Sequence, residues 1–216
     1  LKLPENISNH QAMQIGTAGY TAMLCVLGLE DYGIKPDSGD ILVTGASGGV
    51  GSVAISILSG LGYSVIASTG RLSEKEYLES LGASSIIDRN ELSEPSKPLG
   101  KERWSGAIDS VGSQTLSNVI AQTKYGGAVS ACGLAQGMDL PSTVLPFILR
   151  GVSLIGIDSV MAPMSKRERA WDRLSKDLNM DKLAQMVVET NLEDVQNFAQ
   201  LILDGKVRGR VVVNIS

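Results

Sequence analysis

The chain has 216 residues, 43% hydrophobic and 19% charged, which is enough to bury a full core as one domain or one domain plus an extension. Its net charge of −4 argues against nucleic acid as a main partner, and a single histidine, His10, leaves few ligands for zinc. Cys25 and Cys132 stand alone in the sequence, so no disulfide framework is expected, and neither a membrane-spanning run nor a signal peptide is read; together these suggest a cytoplasmic protein.

Leu1-Lys2-Leu3-Pro4 reads as the middle of a longer chain. Residues 10–29 are helical in pattern but contain Gly16 and Gly19, which weaken a helix and mark close packing or a ligand face. Residues 31–40 form a loop. The apolar run Ile41–Val43 reads as a buried strand, and Gly45, Gly48, Gly49 and Gly51 then turn the chain into a helix with Val50, Val53, Ala54, Ile57, Leu58 and Leu61 at helical spacing. Strand, glycine turn and helix form the first half of a dinucleotide-binding βαβ unit. Glycines let the backbone approach a pyrophosphate, and the free N–H groups of the following helix face it. The register is Ala46-x-Gly48-x-x-Gly51, with alanine in place of the first glycine.

A second strand is expected at 64–68, then a helix with Leu72, Leu78 and Leu81 inward, and a short third strand at 85–88. Residues 89–103 read as a surface loop. Strands at 107–111, 127–132 and 152–157 follow, with a helix at 113–124 and a helical turn at 146–149. The alternation implies a doubly wound α/β Rossmann domain, a six-stranded parallel sheet of order 3-2-1-4-5-6. Beyond it come a charged amphipathic helix at 165–178 and a helix at 192–204. The second is read as capped by Asn191 and stopped by Gly205, with Val195, Phe198, Ala199 and Ile202 inward. A strand at 210–215 ends the chain. Residues 1–160 are taken as the dinucleotide-binding domain and 161–216 as a tail belonging to a neighbouring unit.

A site for NAD usually carries an acid about 20 residues past the glycine turn. Here that place is Ser68-Thr69-Gly70-Arg71, with hydroxyls and a guanidinium but no acid, which suits a 2′-phosphate. Arg89 is a second candidate cation for the same end. Asp109 is either catalytic or a turn former beside Gly112. No tyrosine has lysine four residues on, so the short-chain dehydrogenase motif is missing, and no Gly-Lys pair continues into the Ser or Thr of a P-loop. Gly45-Ala-Ser47-Gly-Gly49 matches a nucleophile elbow in spacing, but the one histidine lies upstream of it.

The set Thr44–Gly51, Thr69–Arg71, Tyr77–Ala83, Gly106–Asp109, Tyr125–Gly127, Ala131–Leu134, Pro146–Arg150 and Gly156–Val160 resembles the zinc-independent medium-chain dehydrogenase/reductases. It is most similar to their NADPH-dependent acrylyl-CoA reductase branch, often labelled quinone oxidoreductase. The resemblance covers nearly the whole chain. It implies NADPH held by Ser47, Gly48, Gly49 and Val50 at the pyrophosphate and by Thr69, Gly70, Arg71 and Arg89 at the adenosine phosphate. Leu134, Ile148 and Ser159 would line the nicotinamide side. It also implies an N-terminal catalytic domain of roughly 100 residues or more, of ordinary domain size, onto which the tail folds. The implied reaction is hydride transfer to the β-carbon of a 2-enoyl thioester, with a quinone as the other acceptor. No residue of this chain is assigned as proton donor. The 152–157 strand is expected at the sheet edge, where the resemblance implies a symmetric homodimer; charge, hydropathy and the lone histidine leave no metal, nucleic acid or membrane expected as a partner.

Overall fold

The computed structural model describes residues 1–215. Ser8 opens the first helix, α1 (Asn9–Tyr32), with a reciprocal cap. Its hydroxyl accepts from the Gln11 amide, and the Gln11 side chain accepts from the Ser8 amide. Gly33, left-handed at φ 108°, ends it. Gly16 breaks the helix inside, at φ 50° and ψ −160°, a geometry that only glycine adopts readily. Contrary to the sequence expectation, α1 is long and apolar enough to cross a bilayer, but 67% of its apolar window is buried inside the protein, so its apolarity serves the core.

The strands β1 (Ile41–Val43), β2 (Val65–Thr69), β3 (Ser85–Asp88), β4 (Trp104–Asp109), β5 (Thr123–Ala131) and β6 (Ser153–Gly156) form one sheet of order β3-β2-β1-β4-β5-β6. Every pairing is parallel. This is the expected Rossmann arrangement. The helices α2 (Gly49–Gly60), α3 (Lys75–Leu81), α4 (Ser113–Ala121) and α5 (Leu145–Arg150) alternate with the strands. One core layer gathers α1 and α2 over the sheet, and a smaller one on the other face holds Leu42, Trp104, Leu116 and Val119.

Several boundaries differ from the sequence reading, and those around β4 show why. β4 begins three residues earlier, at Trp104, whose indole is fully buried and donates to the Val119 carbonyl at 3.1 Å. It ends at Asp109, because that carboxylate accepts from the Val111 and Gly112 amides and turns the chain. α4 stops at Ala121, and β5 starts at Thr123, where it pairs with Trp104 across a register shift.

α6 (Met164–Asp177) matches the expected charged helix, and Ala170 and Leu174 bury its inner side in the main core. Arg173 locks it to α1 by a two-pronged pair with Glu30, at 2.7 and 3.0 Å. That pairing and the bond to Asp177 hold the Arg173 guanidinium well above its ordinary range. α7 (Met180–Gln185) and β7 (Val187–Asn191) were not read from the sequence. β7 pairs in parallel with β8 (Arg210–Asn214), and α8 (Val195–Leu203) crosses between them. Two expectations for α8 are corrected. Asn191 makes no side-chain cap, because a 3₁₀ turn at 192–194 separates it from the helix. Val195, Ala199 and Ile202 are exposed and Phe198 only half-buried, so the expected inward side of the helix is not covered as a core face. Gly205, at φ 67°, does terminate it.

Candidate functional site

A cleft of about 660 Å³ lies at the carboxyl ends of β1, β2 and β4. Such a crevice, where the strand order reverses, is where open α/β sheets bind ligands. The glycine turn forms its floor. An added Cβ on Gly51 would lie 2.5 Å from the Gly45 carbonyl oxygen and 2.7 Å from Ala46 Cα, so α2 starts pressed against the turn. Gly48 precedes α2 without a side-chain cap, and no acid sits in the first turn. The N-terminal amides of α2 are thereby free to meet an anion.

Beneath the floor, Asp109 ties β4 to β1. It is fully buried and accepts from the Thr44 hydroxyl at 2.7 Å and from the Gly112 amide at 2.8 Å. Burial pushes its carboxyl above the usual range, with these bonds acting in the opposite sense. Of the two roles read for Asp109, the structure gives it the turn-forming one.

One side of the cleft is built by side chains that follow three strands. Arg71 donates through one terminal nitrogen to Ser47 Oγ at 2.9 Å and to the Val207 carbonyl at 3.1 Å. Its backbone N–H donates to Thr69 Oγ1 at 3.1 Å, and the Ser47 and Thr69 hydroxyls lie 3.4 Å apart. Arg89, from the end of β3, lies flat against Gly70, where any Cβ would collide with its guanidinium. No aspartate or glutamate lines the cleft, and among the described residues neither arginine has a carboxylate partner.

The structure thus brings together Ser47, Gly48, Thr69, Gly70, Arg71 and Arg89 in the cleft. Gly49 and Val50 stand next to it in the first turn of α2. Leu134, Ile148 and Ser159 do not line it. Leu134 is 62% exposed just past β5, and Ile148 is 68% exposed on α5. Ser159 follows β6, with its carbonyl accepting from Arg167.

The sequence reading missed one wall. The segment 205–210 returns across the glycine turn, where the Gly209 amide donates to the Ser47 carbonyl and Val207 accepts from Arg71. It delivers Arg210 between the break in α1 at Gly16 and the start of α2. A Cβ on Gly49 would lie 3.0 Å from Arg210 Cδ, and one on Gly16 would lie 2.5 Å from its Nη2. Arg210 donates to the Gln14 carbonyl at 3.2 Å and has no acidic partner among the described residues. Burial pushes its guanidinium below its ordinary range. A half-buried, unpaired cation beside free helix amides is a ready anion receptor. The one available signal was Gly-Arg with no nearby acid, too weak to place it.

Residues 49–176 match the family described as zinc-binding dehydrogenase. The acrylyl-CoA reductase AcuI of Ruegeria pomeroyi is 54% identical over 99% of this chain and 65% of its own length. The putative quinone oxidoreductase YhfP of Bacillus subtilis is 46% identical, over 99% of this chain and 65% of its own length. The yhdH oxidoreductase of Salmonella enterica, solved in complex with NADP, superposes with a TM-score of 0.98 at 54% identity, covering all of this chain and 66% of that one. The chain therefore spans just under two thirds of the length of these proteins. The family description implies zinc, and the residues present do not fit it. Among the described residues no three His, Cys, Asp or Glu side chains gather, and His10 is engaged with Glu189 at the surface.

Proposed function

The chain belongs to the zinc-binding dehydrogenase family, and on that premise we propose that it binds NADPH for hydride transfer to an activated 2-enoyl thioester of the acrylyl-CoA kind. The observation that carries this reading is the cleft itself, with Arg71 just past β2 and Arg89 just past β3, neither with a carboxylate partner among the described residues, and no acid among its walls. An acid there would accept the ribose hydroxyls of NAD and repel a 2′-phosphate. Ser47, Thr69 and the planar fork of Arg71 instead offer donors to phosphate oxygens. The α2 N-terminus and Arg210 neutralise the pyrophosphate. Leu134, Ile148 and Ser159 stay as proposed contacts for the nicotinamide end, which lies outside the cleft walls described above.

When bound, the nicotinamide supplies the hydride. This chain orients the cofactor, and Asp109 keeps the glycine turn anchored without meeting substrate. The exposed apolar side of α8 and the tail from 161 are proposed to meet a further domain that closes the substrate cleft, where positioning and water exclusion set the rate. A quinone acceptor is the second reading, favoured by the similarity to the protein named as a putative quinone oxidoreductase. A cytoplasmic location belongs to the same proposal.

The test is to measure dissociation constants for NADPH and NADH and to assay reduction of acryloyl-CoA and of a quinone. NADPH is expected to bind at least about tenfold tighter, about 1.4 kcal/mol, and Arg71→Ala to remove that preference. Equal affinities in the unmutated chain would overturn the cofactor assignment. Failure to reduce acryloyl-CoA even with the upstream domain supplied would overturn the substrate.

A homodimer through β6 completes the proposal. β6 is an edge strand, and beside it a hollow of about 360 Å³ is lined by Leu24, Leu27, Ile155 and Ile157. A second copy pairing edge to edge would close it. Leu154→Pro removes a ladder donor and is expected to convert dimer to monomer in sedimentation. A monomer before the change, or an intact dimer after it, refutes this edge.

A further inference from the structure

Cys25 and Cys132, distant in the sequence, meet where α1 crosses β5. Ser130 Oγ donates to the Cys25 carbonyl at 3.0 Å, which fixes that turn of α1 over the strand. Side chains two residues apart in a strand share a face, so Cys132 follows Ser130 toward α1. The Cys132 amide prolongs the ladder, donating to the Asp109 carbonyl at 2.8 Å, and Sγ lies 3.4 Å from the same oxygen. Cys25 is fully buried in the main core, and Cys132, half-buried, packs on that core from the solvent side. Cys132 thus packs against the core layer that holds Cys25, close enough for each thiol to shift the ionisation of the other. Hydride transfer uses neither of them.

We propose that Cys25 and Cys132 form a reversible dithiol–disulfide site oxidised by hydroperoxides. Cys132, the less buried of the two, reacts first. As thiolate it attacks the outer oxygen of a hydroperoxide, the O–O bond breaks, and the product is a sulfenic acid plus an alkoxide that takes up a proton. Cys25 then gives up its proton and attacks the sulfenic sulfur. The S–S bond forms, and hydroxide leaves as water. Two thiols thus lose two electrons to the peroxide, yielding one disulfide, one alcohol and one water. The order of events agrees with the thiol chemistry. The neighbouring Cys25 thiol holds Cys132 below the ordinary thiol range, while Cys132 and burial push Cys25 up. The disulfide would pin the end of β5 to α1, immediately before Gly133 and Leu134.

The experiment treats the full chain with hydrogen peroxide, blocks the remaining thiols with iodoacetamide and maps peptides by mass spectrometry. Its readout is independent of cofactor binding and turnover. A peptide pair linked through Cys25 and Cys132, lost again on reduction with dithiothreitol, is expected, with both thiols disappearing in parallel. Cys25→Ala, which keeps the buried position apolar, and Cys25→Ser should leave Cys132 as a sulfenic acid captured by dimedone. Cys132→Ser should slow oxidation of Cys25 by tenfold or more. Persistent sulfenic acid on Cys132 in the unmutated chain, or oxidation of each cysteine without a linked peptide, would overturn the proposal.

Discussion

The unit β1–α2–β2 and the unit β7–α8–β8 have the same parallel strand–helix–strand plan and opposite fates. In the first, every residue of α2 from Gly51 to Leu58 is buried, because the helix lies between the sheet and α1. In the second, no residue of α8 is buried, and Ile202 is 56% exposed. Both helices have an apolar side. What differs is the layer against that side, since a crossover helix gains its stability from the surface it covers far more than from its own pattern. The two units touch through the return of 205–210 over the glycine turn, and there the second contributes its cation to the first.

Truncation inside α2 should do the most damage. Leu58 is fully buried, so Leu58→Ala is expected to cost about 2–5 kcal/mol in urea unfolding. A cost below about 1 kcal/mol, the level of a tolerated core swap, would mean that α2 is not the buried member of the pair.

The contact between the units comes next. Arg210→Ala should weaken NADPH and NADH by the same factor, about tenfold or more, as loss of a charge-assisted hydrogen bond to a group both cofactors carry. Arg71→Ala, by contrast, should weaken NADPH alone. If Arg210→Ala altered the preference between the cofactors, Arg210 would belong to the 2′-phosphate end and not to the pyrophosphate.

The smallest effect is expected on α8. Ile202→Ala should change stability by no more than about 0.5 kcal/mol, the ordinary range for an exposed position. Equal unfolding midpoints for this variant and the unmutated chain would sharpen the contrast. A loss comparable to that of Leu58→Ala would remove it.

The sheet order and the glycine turn were legible because their signals are local. Ile41–Val43, the four glycines and the apolar spacing of α2 lie within one short stretch, and each signal favours the same geometry. The same holds for the stretch after β2, which carries no acid and lies with Thr69 and Arg71 among the cleft walls. Boundaries were less legible. β4 ends where the Asp109 carboxylate accepts from the Val111 and Gly112 amides, although Val111 continues the apolar pattern. The short β7 carries too little alternation to be separated from a loop.

The sequence by itself determined the α/β class, the strand order, the place of the glycine turn and the basic, acid-free character of the cleft beside it. Each of these depends on backbone preferences and side chains within about 30 residues of one another, the span of one βαβ unit. Tertiary structure alone decided that Arg210 reaches Gly49, that Cys25 meets Cys132, that Asp109 lies under the floor and that α8 stays uncovered. These are meetings between distant segments, set by how whole layers pack, and local spacing carries no record of the neighbour a side chain will find.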